Sequence, residues 1–359
     1  MRAFFSIAAF GLLGLAATAG AGCGDSGGAG PESDTSKSAF PIPWEELSNP
    51  VLADPEIPLK DPCVVYHRGV FHMFTSGASY RTRDFQTYEG PFTGYGSPDV
   101  TRTADGRFLL VYQTRDTANP GPDPRVDPDS PQNEFRRLSY RVSEDLETWS
   151  EERELYPSLQ PDRHIDGSLA YDEGCHCYYL GFKSGVTIQQ FRVARSAGPE
   201  IDGDWIGPLK AYAGEGCLLD KLVPLIGDTI TRWAENYQFL RIDGRWRMIA
   251  TARDPRRPID FGYMGSHEPF VYELRGQGGT LEEWTDWVGK RQLQVPQQDW
   301  NSLMHANSAY LCDWRDQDGH FYLFYAGTNQ PTDDGRGHGR IGVVRSHDLV
   351  DWKLPGETD

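Results

Sequence analysis

Five segments of the chain open on a polar residue able to move a proton: Asp61, Asp99, Asp166, Glu235 and His305. A protonated carboxyl can give its proton to a departing oxygen, while an ionised one takes a proton from water or attacks directly. Surroundings separate two such groups, because burial and nearby like charge raise a carboxyl's pKa. A single acid at a strand start is ordinarily a solvated end. Four acids and a histidine at one repeat phase describe a site.

The elements that must position them are hairpins, each a short strand, a glycine turn and an aromatic-rich strand. They are "DPCVVYHRGVFHMFTSG" (61–77), "SPDVTRTADGRFLLVYQT" (97–114), "IDGSLAYDEGCHCYYLGFKSG" (165–185), "AENYQFLRIDGRWRMIATA" (234–252) and "HANSAYLCDWRDQDGHFYLFYAG" (305–327). Their turn glycines, Gly69, Gly106, Gly174, Gly244 and Gly319, follow one another at 37, 68, 70 and 75 residues. Gly turns between alternating strands mark hairpins. A second element follows several of them: "RTRDFQTYE" (81–89), "RVSEDLETWSE" (141–151) and "VRSHDLVDW" (344–352), with "GDWIGP" (203–208) a decayed copy. Each of the first three sets an Asp-hydrophobic pair shortly before an aromatic, which suits the outer half of a four-stranded sheet.

The repeats predict an all-β fold, a five-bladed β-propeller of four-stranded antiparallel blades around a central channel. A β-sandwich also yields many short strands but not the two-part pattern. In a propeller the innermost strands line the axis, so equivalent positions converge there. The stretch "NPGPDPRVDPDSPQN" (119–133) is too proline-rich for a strand and reads as a rim loop.

A net charge of −17 over 359 residues speaks against a nucleic-acid or anionic-membrane partner. Aromatics at 12%, with 39 Gly and 25 Pro, suit strands and turns. Arg2, the apolar run Ala3 to Ala17 and the ending Ala21-Gly22-Cys23 read as a signal peptide over 1–23. It is similar to a bacterial lipoprotein signal, which implies lipidation of Cys23 and anchoring at the outer membrane or cell surface; plain secretion or a periplasmic place is the alternative. Residues 24–40 read as a Gly/Ser-rich tether, leaving 41–359 for a monomeric propeller. Cys63, Cys175, Cys177, Cys217 and Cys312 remain, an odd number, with small buried residues or one disulfide expected rather than a metal cluster.

From "DPCVVYHRGVFHMF", "IDGSLAYDEG", "AENYQFLRIDGRWRM" and "GRIGVVRSHDLVDW", residues 55 to 354 resemble the five-bladed propeller glycoside hydrolases of family 43, the arabinanases, arabinofuranosidases and β-xylosidases. The resemblance implies hydrolysis of O-glycosidic bonds in a carbohydrate of arabinan or xylan type. It implies Asp61 as base, Asp166 as a carboxylate tuning the acid, and Glu235 as acid, spaced by 105 and 69 residues. It also implies that His305 faces the channel, where a calcium ion could sit, with no cofactor otherwise required. The family's acid ordinarily precedes a small residue and proline; here Asn236-Tyr237 follow Glu235.

An inverting enzyme holds acid and base roughly 6.5–9.5 Å apart, with a water between. Glu235 then needs a raised pKa, with Trp233 as an apolar wall and Asp166 as a like charge. Asp99, His164, Trp233, His305 and Arg340 are candidates for touching substrate, and Glu268 is a rival acid. Trp246, Trp284, Trp287 and Trp300 could stack on sugars but suit packing between blades. A retaining fructan or sucrose hydrolase would need Arg-Asp-Pro before the acid, and Arg253-Asp254-Pro255 comes after it. A glycan-binding propeller without catalysis would have no need of three matched carboxylates.

Overall fold

Glycine lets the hairpins close where the turn must enter the left-handed region: Gly69 and Gly244 have φ of 79° and 77°, and an added side chain would be strained at either. In the third hairpin the left-handed residue is instead His176, φ 48°, held between Cys175 and Cys177, which form a disulfide. The computed structural model describes residues 40–119, 134–185, 190–213, 234–254, 267–332 and 337–358. The signal segment with Cys23, the tether to residue 39, residues 120–133, Cys217 and Trp233 lie outside the described residues.

The strands form five sheets. The first holds Cys63–His67, Val70–Phe74, Ser79–Thr82 and Tyr88–Phe92; the second holds Gly96–Arg102, Phe108–Arg115, Arg136–Ser143 and Arg153–Glu154. The third holds His164–Asp172, Cys177–Ser184, Gln190–Ser196 and Trp205–Lys210. The fourth runs Ala234–Ile242, Arg245–Arg253, His267–Leu274 and Asp286–Gln292, and Tyr212–Ala213 adds a parallel fifth strand at its outer edge. The fifth holds Met304–Trp314, His320–Thr328 and Arg340–Ser346. The first strand of each sheet touches the first strand of the next, and the fifth returns to the first. That closed ring of blades is the β-propeller.

The last blade finds its fourth position elsewhere in the chain. Leu52 bridges to Ile341 and Lys353 to Arg345. Between them the Asn49 side chain imitates a strand, accepting from Val343 N at 2.9 Å and donating to Val343 O at 2.8 Å. An edge that would otherwise invite pairing with another chain is covered.

Each pair of neighbouring blades shares one hydrophobic cluster. Phe71 and Phe324 join blades one and five, Phe74 and Phe108 join one and two, and Leu109 and Leu180 join two and three. Tyr179 stacks on Trp284 between blades three and four, centroids 4.1 Å apart, and Ile249 meets Leu323 between four and five. Trp246, Trp284, Trp287 and Trp300 are all buried in these seams, so packing accounts for them. The Asp-hydrophobic motif makes the turn after the third strand. Asp84, Asp145 and Asp348 each accept two backbone N–H groups of the turn, while Phe85, Leu146 and Leu349 enter the left-handed region with their side chains buried.

Candidate active site

The chain bulges toward the axis once in every blade. Asp61, Ser97, Asp166, Asn236 and Ser308 have φ of 54°, 43°, 56°, 52° and 52°. Pairing slips at the same places, between Gly96 and Asp99, between Gly181 and Lys183 opposite Asp166, between Glu235 and Gln238, and between Asn307 and Tyr310. In the first blade Lys60 O accepts from Ser76 N while Cys63 faces Phe74, which leaves Asp61-Pro62 opposite Thr75 alone. A bulge with a left-handed first residue re-aims that side chain, and Asp and Asn tolerate the conformation best among non-glycine residues.

The converging set therefore differs from the expected phase. Asp61 and Asp166 belong to it. In the other blades the ring positions are Ser97, Asn236 and Ser308, while Asp99 lies two residues later, Glu235 one earlier and His305 three earlier. The five ring residues, with the residue after each, line a small pocket on the axis, together with Asp99, Gln238 and Tyr310.

Hydrogen bonds run round the ring. Ser97 Oγ lies 2.9 Å from Asp166 Oδ1 and 3.2 Å from Asp61 Oδ2, so one hydroxyl serves two carboxyls. Ser76 Oγ also donates to Asp61 Oδ2. On the other oxygen, Asn236 Nδ2 donates to Asp61 Oδ1 at 2.9 Å, and Lys60 Nζ stands 3.6 Å away. Ser308 Oγ reaches Asn236 Oδ1 at 3.0 Å. Donors on both oxygens fix the orientation of Asp61.

Glu235 is buried beside this ring rather than in it and is not among the residues lining the pocket. Lys183 Nζ lies 2.5 Å from Glu235 Oε2 and 3.7 Å from Asp166 Oδ2, and His267 Nδ1 lies 3.2 Å from Glu235 Oε1. Burial opposes ionisation of Glu235, but the Lys183 ammonium, with His267 and Lys60, holds its carboxyl well below the usual range. This reverses the expected direction, and the reason is a cation inside the carboxylate cluster. Asp166 moves upward: burial dominates, Glu235 and Asp61 add to it, and Lys183 opposes it.

Sequence reading missed Lys183, Ser97, Ser308 and His267. Lys183 carried a signal, as the one charged residue of the apolar strand Cys177–Ser184. Asp99 does reach the pocket, accepting from Ser168 Oγ at 2.8 Å and Leu169 N at 3.0 Å, and burial lifts its pKa to about 6. His164 is turned to its own loop, with Nε2 2.8 Å from Gln160 O, and lies outside the pocket lining. Arg340 donates to Trp300 O at 2.8 Å and Asn329 Oδ1 at 2.6 Å and is likewise outside the lining. Glu268, the rival acid, is fully buried against His305, Oε2 to Nδ1 2.9 Å. His305 Nε2 is buried with no hydrogen-bond partner among the described residues. Calcium takes six to eight oxygen ligands. His305 offers nitrogen, and among the described residues no group of three His, Cys, Asp or Glu could hold a metal ion. These residues do not fit a calcium site.

No protein-family model and no curated protein matches the chain. Solved structures do match. A thermostable family-43 glycoside hydrolase has a TM-score of 0.56 at 14% identity, over 87% of this chain and 97% of that one. A GH62 hydrolase in complex with xylotriose has a TM-score of 0.59 at 12% identity, over 83% of this chain and 96% of that one. The α-L-arabinofuranosidase of Lactobacillus brevis has a TM-score of 0.56 at 12% identity, over 88% of this chain and 99% of that one. What the chain shares with these glycoside hydrolases is the fold, a five-bladed propeller spanning nearly their whole length.

Proposed function

We propose that the chain is a glycoside hydrolase that cleaves O-glycosidic bonds of a plant or microbial carbohydrate of arabinan or xylan type with inversion. The observation that carries this reading is the joining of Asp61, Asp166 and Glu235, from three blades, by Ser97 and Lys183. Protonated Glu235 gives its proton to the glycosidic oxygen as the bond to the anomeric carbon breaks. Water attacks that carbon and yields a proton to Asp61. Asp166 stands between the two and shares a cation with the acid. The same reading takes Cys23 as a lipid anchor that holds the enzyme at the cell envelope.

Asp61→Asn and Glu235→Gln should each remove more than about 99% of turnover while the fold survives, because each deletes a proton-transfer group. The assay is hydrolysis of aryl arabinosides, xylosides and galactosides, read as release of the phenol, with NMR of the first-formed anomer. Full activity in both variants overturns the assignment. One observation favours a second reading, glycan binding without turnover: the Lys183 ion pair keeps the acid ionised near neutral pH. Saturable glycan binding with no product released at any pH would select it.

A further inference from the structure

Lys183 sits where the rest of its strand is apolar. All of Cys177–Ser184 but Ser184 is buried, and the Lys183 side chain is 3% exposed. Taking an ammonium out of water costs several kcal/mol unless carboxylates meet it. A role in packing alone would be met by another apolar residue, as at Leu180 and Phe182 on the same strand. The bulge delivers the lysine: pairing skips from Gly181 to Lys183, which comes to lie opposite Ile165 and beside Asp166. From there its nitrogen spans both carboxyls, 2.5 Å to Glu235 and 3.7 Å to Asp166.

We propose that Lys183 is a positioning residue for the acid, whose ammonium fixes the Glu235 carboxyl beside Asp166 and stabilises the negative charge left when Glu235 gives up its proton. This rests on Glu235 being the acid. When the C–O bond breaks, its electron pair goes to the leaving oxygen, the Glu235 proton follows, and Glu235 becomes an anion beside a fixed cation. A preorganised charge at the place where charge develops lowers the barrier. The same charge has a cost. It favours ionised Glu235 in the free enzyme and so confines the proton-bearing form to acidic solution. Among the described residues, the other charged or titratable groups that bear on Glu235 include Asp166 on blade three, His267 and Tyr237 on blade four, and Lys60 on blade one, with Asp61 acting through Asp166.

The test compares wild type, Lys183→Met and Lys183→Arg, with circular dichroism as the check on folding. In Lys183→Met the plateau kcat should fall roughly 10–100-fold, the loss of one charge-assisted contact. The alkaline limb of kcat/KM should move up by about one pH unit or more, the effect of removing an adjacent opposite charge. KM should change little, and Lys183→Arg should keep the limb in place. A folded Lys183→Met enzyme with an unmoved limb overturns the proposal. Titration of the Glu235 carboxyl by 13C NMR, assigned by its loss in Glu235→Gln, reads the same charge without substrate. Its midpoint should rise in Lys183→Met, and an unmoved midpoint overturns the proposal even if no glycoside is turned over. Absence of turnover by wild type at every pH, with the midpoint shifted, instead rejects the hydrolase reading. Lys183→Gln replaces the Met variant if that does not fold.

Discussion

Asn236 donates to Asp61 at 2.9 Å from the position directly after Glu235, so one dipeptide of the fourth blade carries Glu235 and holds Asp61 of the first. The residue that departs from the resembled pattern after Glu235 thus has a structural use. A small apolar residue such as alanine at this position could offer Asp61 no such donor.

Asn236→Ala should lower kcat by roughly 10–100-fold with little change in KM, the loss expected for a hydrogen bond to a charged group. It should also cost about 1 kcal/mol of stability, since alanine lacks asparagine's tolerance of a left-handed backbone. Asn236→Gly separates the two effects: turnover stays low and the melting temperature largely recovers. Equal turnover in wild type and Asn236→Gly would sink the role.

Asp99 gives a pH dependence of stability. Its folded pKa of about 6 lies above the ordinary carboxylate value because of burial, so protonation favours the fold. That contribution is fully present below about pH 4 and is lost as pH rises through about 6, on the order of 2–3 kcal/mol at neutrality. Asp99→Asn keeps an acceptor for Ser168 Oγ and Leu169 N. It should raise the melting temperature at pH 7 and flatten its change between pH 4 and 6, measured by calorimetry. A variant as pH-sensitive as wild type contradicts this.

Asn49→Ala should destabilise the ring by about 1–3 kcal/mol, from the two hydrogen bonds lost to Val343. Chemical denaturation would detect it as a lower midpoint with an unchanged slope. A shift within error would show that the Leu52 and Lys353 bridges hold this edge alone.

The blades could be read from the sequence because a glycine turn between alternating strands is a local signal, as at Ile242-Asp243-Gly244. The site was only half legible. Asp61 and Asp166 stand at the expected phase, but a bulge depends on the partner strand, and no local pattern announces that Ser97 replaces Asp99 or that Asn236 replaces Glu235. The state of Glu235 was misread for a related reason. The group that governs it, Lys183, lies 52 residues away in sequence and reaches it only through blade packing. The fourth position of the last blade was hidden because it is assembled from Asn49, Leu52 and Lys353 rather than from one strand.

The seam between the first and last blades has a consequence for biosynthesis. Asp61 stands on one side of it, and Ser308, which supports Asn236, stands on the other. A nascent chain that has not yet completed its fifth blade has Asp61 and Glu235 but lacks the partner that steadies Asn236 between them. On the proposed function such a chain should turn over substrate roughly 10–100-fold more slowly, as expected for Asn236→Ala. Full turnover, on the proposed function, requires a closed circle, so it reports completed assembly more stringently than strand content does.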